Sequence, residues 1–209
     1  MAAILLDETI PLMLKLDIQE GGFSFSSAEI GILLSSSGFF MIIFCMLILP
    51  SLTRLSKRML NKWGTIGCIP PCILWPVLAG INHSYVTAHR SFHGLWPSLI
   101  VNYIVKAILT NVAFTAVLMQ VNHSVYYEDL GKVNGLGQTF ASLARAIGPA
   151  VGGCLWSLST KLNFVYLNFV IVILLYILSE RMNATLPQLD EQKVHKSTAC
   201  TDTRTDIEL

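Results

Sequence analysis

Charge is the scarcest ingredient of this 209-residue chain. Asp, Glu, Lys and Arg together make up 13% of it, about half the roughly 25% of an ordinary soluble domain. So few ionic side chains cannot coat the core of a chain that is 53% hydrophobic, with a mean hydropathy of +0.60. A soluble globular enzyme is excluded for the chain as a whole. The net charge of +1 supplies no basic surface, so no nucleic-acid partner is expected. Cys45, Cys68, Cys72, Cys154 and Cys200 are scattered without a CxxC, which argues against a disulfide framework and a structural zinc site. The sequence also lacks a Walker loop, a GxSxG and an HExxH. Its apolar runs hold no nucleophile with a base beside it, so no catalytic residue, cofactor or metal is expected. What fits is a polytopic membrane protein.

A helix crossing the bilayer needs about 20 mostly apolar residues. Residues 30–49 form an uncharged run that ends at Pro50 and is preceded by Ser26-Ser27-Ala28-Glu29, a capping box. Residues 63–81 form a second run, and residues 95–119 a third, interrupted only by Lys106. Residues 133–158 are interrupted only by Arg145, and residues 162–178 not at all. Near the start, residues 2–14 are apolar except for Asp7, Glu8 and Thr9. Carried on to Leu16, this first stretch reaches only ~24 Å as a helix, short of the ~30 Å hydrocarbon core. It has no basic leader and is no signal peptide; it reads as a span entered partway, as in a fragment, an alternative start or an incomplete gene model. The pattern predicts an all-α membrane protein. Residues 1–180 form a six-helix transmembrane bundle with spans at about 2–16, 30–49, 63–81, 95–119, 133–158 and 162–178. Residues 181–209 form a tail of mixed charge without apolar periodicity, predicted to be disordered and cytoplasmic.

Loop charges set the orientation. Arg54, Lys57, Arg58 and Lys62 make the loop between the second and third spans basic and hence cytoplasmic, whereas the opposite loops hold only Lys15, Arg90 and Lys161. Alternation then puts both termini in the cytoplasm. The membrane is expected to be the plasma membrane or a vacuolar or lysosomal type. His83, His89 and His93 fall in one outer loop without a neighbouring carboxylate and read as solvated rather than metal-binding. Of the glycosylation sequons at Asn82, Asn122 and Asn183, only the first should lie outside the cytoplasm.

Polarity repeats every three helices. The first and fourth spans carry charge within the membrane: Asp7 and Glu8, then Lys106 with Asn102 and Asn111 nearby. The second and fifth are rich in small residues, and the third and sixth carry no charge. Each trio reads as cavity-lining, closely packing and lipid-facing, an organisation found in transporters built from repeats and also open to chance in a bundle packed through small residues. The fifth span holds Gly135, Ala144, Arg145, Gly148, Pro149, Gly152 and Gly153 at the spacing Gly-x8-Ala-x3-Gly-Pro-x2-Gly-Gly. This resembles the antiporter motif of the major facilitator superfamily, with Ala144 in place of a glycine. Its context is similar to the eleventh helix of proton-coupled exporters of the zinc-induced-facilitator-like and tetracycline-efflux-like branches. Leu6-Asp7-Glu8-Thr9-Ile10-Pro11-Leu12, with the later Gly21-Gly22-Phe23-Ser24-Phe25-Ser26, is similar to their seventh helix and the loop after it. The basic loop at residues 54–62 sits where the family has a cytoplasmic loop but lacks its Gly-x3-Asp-Arg-x-Gly-Arg-Arg pattern.

The resemblance covers residues 1–185 or so and implies the C-terminal six-helix half of a major-facilitator fold. It implies secondary, proton-coupled export of a small solute by alternating access. The partners would be the lipid bilayer, the solute, protons, and a missing N-terminal half or a second copy. The alternative is a truncated, non-transporting membrane protein that pairs with or occludes a full-length transporter. A carboxyl held partly out of water near a cation changes its proton affinity when either surrounding changes, so Asp7 and Glu8 are the proton-coupling candidates. Asn102, Lys106 and Asn111 are the substrate-cavity candidates, and the glycine-rich stretch is the candidate contact between bundles. Each assignment has a plainer counterpart: solvated carboxylates at a helix end, a snorkelling or structurally paired Lys106, and a structural Arg145 inside a packing motif.

Overall fold

A computed structural model describes residues 1–52, 55–88, 94–123, 125–162 and 164–185. Among these residues every regular element is helical. The helices are α1 (Ala2–Lys15), α2 (Ser27–Leu47), α3 (Leu49–Leu52), α4 (Lys57–Gly67), α5 (Ile69–Thr87), α6 (Leu95–His123), α7 (Leu130–Lys161) and α8 (Leu167–Thr185). Four segments are long and apolar enough to cross a membrane: Ser27–Leu47, Lys57–Thr87, Leu95–His123 and Leu167–Thr185. At 14 residues α1 is too short for that class. α7 has the length but is diluted by glycine, serine and Arg145.

Local chemistry explains most boundaries. The capping box at the head of α2 forms as expected: the Ser26 hydroxyl accepts from the Glu29 amide, and the Glu29 carboxylate accepts from the Ser26 amide. α4 passes into α5 at Cys68, where Pro70 and Pro71 lack the N–H groups that would continue the ladder. The third span begins earlier than its uncharged run, because α4 starts at Lys57. Lys57, Arg58 and Lys62 are therefore helical rather than loop residues, and Arg54 lies outside the described residues. α4 is amphipathic: Leu60, Asn61, Gly64 and Thr65 are buried, while Met59, Lys62, Trp63 and Ile66 are exposed. A search for uncharged runs cuts such a helix short at its cationic first turns. The last helix likewise runs to Thr185, through Glu180 and Arg181. The rest of the expected tail, residues 186–209, lies outside the described residues, as do His89 and His93.

Short as it is, α1 is the most enclosed helix. Leu6, Ile10, Met13 and Leu14 are fully buried, in one cluster with Trp75 of α5, Leu99 of α6 and Phe169 and Val172 of α8. The loop after α1 returns Phe23 and Phe25 to this core, where they meet Trp75 edge-on and Trp96 face to face. A second cluster of Phe44, Leu60, Val112 and Ala116 joins α2, α4 and α6. Here α4 and α6 approach closely: a Cβ on Gly64 would stand 2.7–2.9 Å from the backbone of Ala113. The helices expected to face lipid, α5 and α8, thus supply much of the core. α2 and α7 are the barest, α2 burying only Leu33 and Phe44.

Candidate functional site

α1, α2, α6 and α7 enclose a cleft of about 400 Å³. Its charged side chains Asp7, Lys106 and Arg145 come from three different helices. Lys106 is buried along its stem, and its ammonium donates to Oδ1 of Asp7, whose side chain is 51% exposed. The same ammonium lies 5.4 Å from the centre of the Tyr103 ring, within cation–π range. A mid-bilayer cation costs roughly 2.5–3.5 kcal/mol on insertion scales. The carboxylate and the ring offset part of that cost here. Asn111, half-buried, also lines the cleft, and its Oδ1 faces the Cys45 thiol at 3.9 Å.

The structure separates the two acidic neighbours on α1. Asp7 opens to the cleft, whereas Glu8 lies about 100° round the helix and packs its Cβ over Gly152 of α7. Thr9 is buried; its hydroxyl donates to the Leu5 carbonyl and accepts from the Asn168 amide of α8 at 3.2 Å. The Thr9–Asn168 bond fixes α1 against α8 from the side opposite the cleft. Sequence reasoning missed it, and also missed Tyr103, although Tyr103 stands three residues before Lys106 on the same helix face.

Asn102 requires a correction. It shares a face with Lys106 but does not line the cleft. It is 3% exposed and donates to the Pro71 carbonyl of α5. A lysine can run along that face and emerge in the cleft; an asparagine is too short, so it spends its amide joining helices.

The glycine-rich stretch is also divided. Gly148 and Gly152 are buried against Ile4, Leu5 and Glu8 of α1, within the chain, and so do not present a surface to another bundle. Gly135 and Gly153 face open space, and Pro149 is exposed. Ala144 and Arg145 line the cleft, with Arg145 exposed rather than locked into helix packing. Of the basic residues, Arg58 donates to the Asn183 and Ala184 carbonyls at 3.4 and 2.7 Å, closing the C-terminal end of α8. Gln120 of α6 donates to the Lys57 carbonyl, and Lys62 is exposed. Asn82 is buried within α5, so its sequon is not a loop site.

Comparison with known proteins places this geometry in a family. The model of the Major Facilitator Superfamily matches residues 1–199. A probable peptide/nitrate transporter of Arabidopsis thaliana is 29% identical over 158 residues, covering 74% of this chain and 30% of the relative. The Arabidopsis thaliana protein Zinc Induced Facilitator 1 is 31% identical over 153 residues, 70% of this chain and 29% of the relative. A major facilitator-type transporter of Psilocybe cyanescens is 25% identical over 158 residues, 71% of this chain and 29% of the relative. The chain thus aligns with about 30% of the length of these relatives. No solved structure matches it. With its apolar helices and a family match over nearly its whole length, the chain is an integral membrane protein that belongs to the major facilitator superfamily.

Proposed function

We propose that this chain is the C-terminal six-helix half of a secondary transporter that exports a small solute in exchange for protons. The six spans are α1, α2 with α3, α4 with α5, α6, α7 and α8. Both termini lie in the cytoplasm, in a plasma membrane or a vacuolar or lysosomal-type membrane. A second six-helix bundle, from an N-terminal half or another copy, supplies the facing wall, and alternating access is the rocking of one bundle against the other. The observation that carries the reading is the ion pair between Asp7 and Lys106, which spans α1 and α6 inside a cleft. The transporter relatives favour this over a non-transporting partner protein.

Asp7 is the proton carrier in this scheme, and Glu8 is not. A proton on Asp7 removes the negative member of the pair and most of the attraction that holds α1 to α6 at that level. The charged residues that line the cleft with Asp7 are Lys106 of α6, Arg145 of α7 and Met1, which carries the terminal amino group, and Tyr103 also forms part of the wall. Departure of the proton to the other side restores the pair.

The test is proton movement in proteoliposomes loaded with a pH-sensitive dye, on addition of a panel of small organic acids, amines and neutral solutes. Solute-dependent proton movement is expected when the parent chain, or Glu8→Gln, is reconstituted with the bundle that completes it, a second copy or an N-terminal half. Its loss is expected in Asp7→Asn. Equal movement in Asp7→Asn and the parent contradicts the assignment.

A further inference from the structure

We propose that Arg145 makes the cleft a receptor for the acidic group of a small organic anion with an apolar body. The inference rests on reading the cleft as the solute cavity and names the class of solute. Three ionised side chains line the cleft, and two of them, Asp7 and Lys106, neutralise each other. Arg145 remains. It is exposed on the cleft wall and has neither an ion pair nor a side-chain hydrogen bond among the described residues.

The position of Arg145 in α7 sharpens the point. It stands fifteen residues from Leu130 and sixteen from Lys161, so each helix end is ~22 Å away at 1.5 Å per residue. At 32 residues α7 is ~48 Å long and overhangs a ~30 Å hydrocarbon core, so when the helix spans the bilayer Arg145, at its middle, lies ~15 Å from either face, beyond the reach of its own side chain. A guanidinium held at that depth needs an anion or water in the cleft. Its planar fork matches the two oxygens of a carboxylate, or two oxygens of a sulfonate or phosphate. Asn111 engages the Cys45 thiol through Oδ1, which leaves its amide NH₂ for a further oxygen.

The remaining walls give the other half of the specificity. Met41, Tyr103 and Phe114 line the same cleft. They offer an apolar and aromatic surface for the body of the solute. A volume of about 400 Å³ lies within the range of small-molecule sites.

The experiment uses the full chain in nanodiscs of neutral phosphatidylcholine, so that lipid charge does not compete. Binding of benzoate, benzamide and benzylamine is read by saturation-transfer NMR. These three share a ring and differ in charge. Benzoate is expected to bind about tenfold tighter than benzamide, the worth of one charge-assisted contact, and benzylamine weakest. Arg145→Gln is expected to erase the gap. Arg145→Lys, which keeps the charge, is expected to retain part of it, and circular dichroism shows that both variants hold the parent's helix content.

Equal binding of benzoate and benzamide overturns the proposal, as does a preference that survives Arg145→Gln. So does binding of none of the three, the result if a carboxylate of a second copy already holds Arg145. Because binding is read without flux or a pH gradient, failure here leaves the export reading standing. An intact anion preference without proton movement would sink export and leave this site.

Discussion

The ammonium of Lys106 and the carboxylate of Asp7, 99 residues apart in sequence, meet across the cleft with unequal burial: the lysine side chain is 3% exposed and the aspartate 51%. The asymmetry predicts unequal mutants. Asp7→Asn strands a buried cation and should cost about 1–3 kcal/mol, discounted from a fully buried pair because Asp7 is half-solvated. Lys106→Met keeps the volume, removes the buried charge and leaves a carboxylate that water can reach. It should fall within about 1 kcal/mol of the parent or exceed it. Thermal unfolding of both variants in the same nanodiscs checks the order. A costlier Lys106→Met would contradict the burial argument.

Glycines give a second contrast. Gly64→Ala places a methyl within 3 Å of the Ala113 backbone, which cannot swing aside. A loss of about 1–3 kcal/mol is expected from overpacking. Gly135→Ala and Gly153→Ala meet nothing within 4 Å. They should leave stability unchanged or raise it slightly, since alanine is the better helix former. Unfolding midpoints of the three variants decide the matter.

Water access separates the two asparagines of α6. With Cys45, Cys154 and Cys200 replaced by serine, Asn111→Cys should react with a water-soluble maleimide and Asn102→Cys should not. Asn102 is sealed against α5, whereas Asn111 borders the cleft. Equal labelling would mean that the cleft is not the aqueous face of α6.

Arg58 ties the start of α4 to the end of α8 through two carbonyl groups. Arg58→Ala should therefore loosen α8 locally, with faster amide hydrogen exchange near Asn183 and Ala184 and little change in α1 or α6. The effect should be worth about 0.3–1 kcal/mol, the usual scale of a cation at a helix C-terminus. Unchanged exchange at that end would show that α8 closes without Arg58.

Much of the helix layout was legible because charge is so scarce: α2, α6 and α7 follow from runs broken only by Lys106 or Arg145, and the head of α2 from Ser26 and Glu29. The run criterion failed where a helix begins among cations, so α4 was entered too late. Pairing across the cleft was only partly legible: isolated mid-span charges need partners, but nothing in the sequence chose between Asp7 and Glu8 as the carboxylate that meets Lys106. Which face of a helix a residue takes in the bundle was not. Asn102 and Asn111 look alike in sequence, yet one joins helices and the other borders the cleft. Gly64 carried no motif, and its tight approach to Ala113 exists only once α4 and α6 are packed. Nor could the glycine-rich stretch declare that Gly148 and Gly152 serve α1 of the same chain.

The most direct test of the central claim is the double-mutant cycle across the cleft, with stability and proton movement measured on the parent, Asp7→Asn, Lys106→Met and the pair together. If the ion pair organises the site, adding Lys106→Met to Asp7→Asn restores most of the stability that Asp7→Asn alone removes, a coupling of about 1 kcal/mol or more, while proton movement stays absent. Independent, additive losses, or proton movement that persists without Asp7, would show that the two side chains meet without working together.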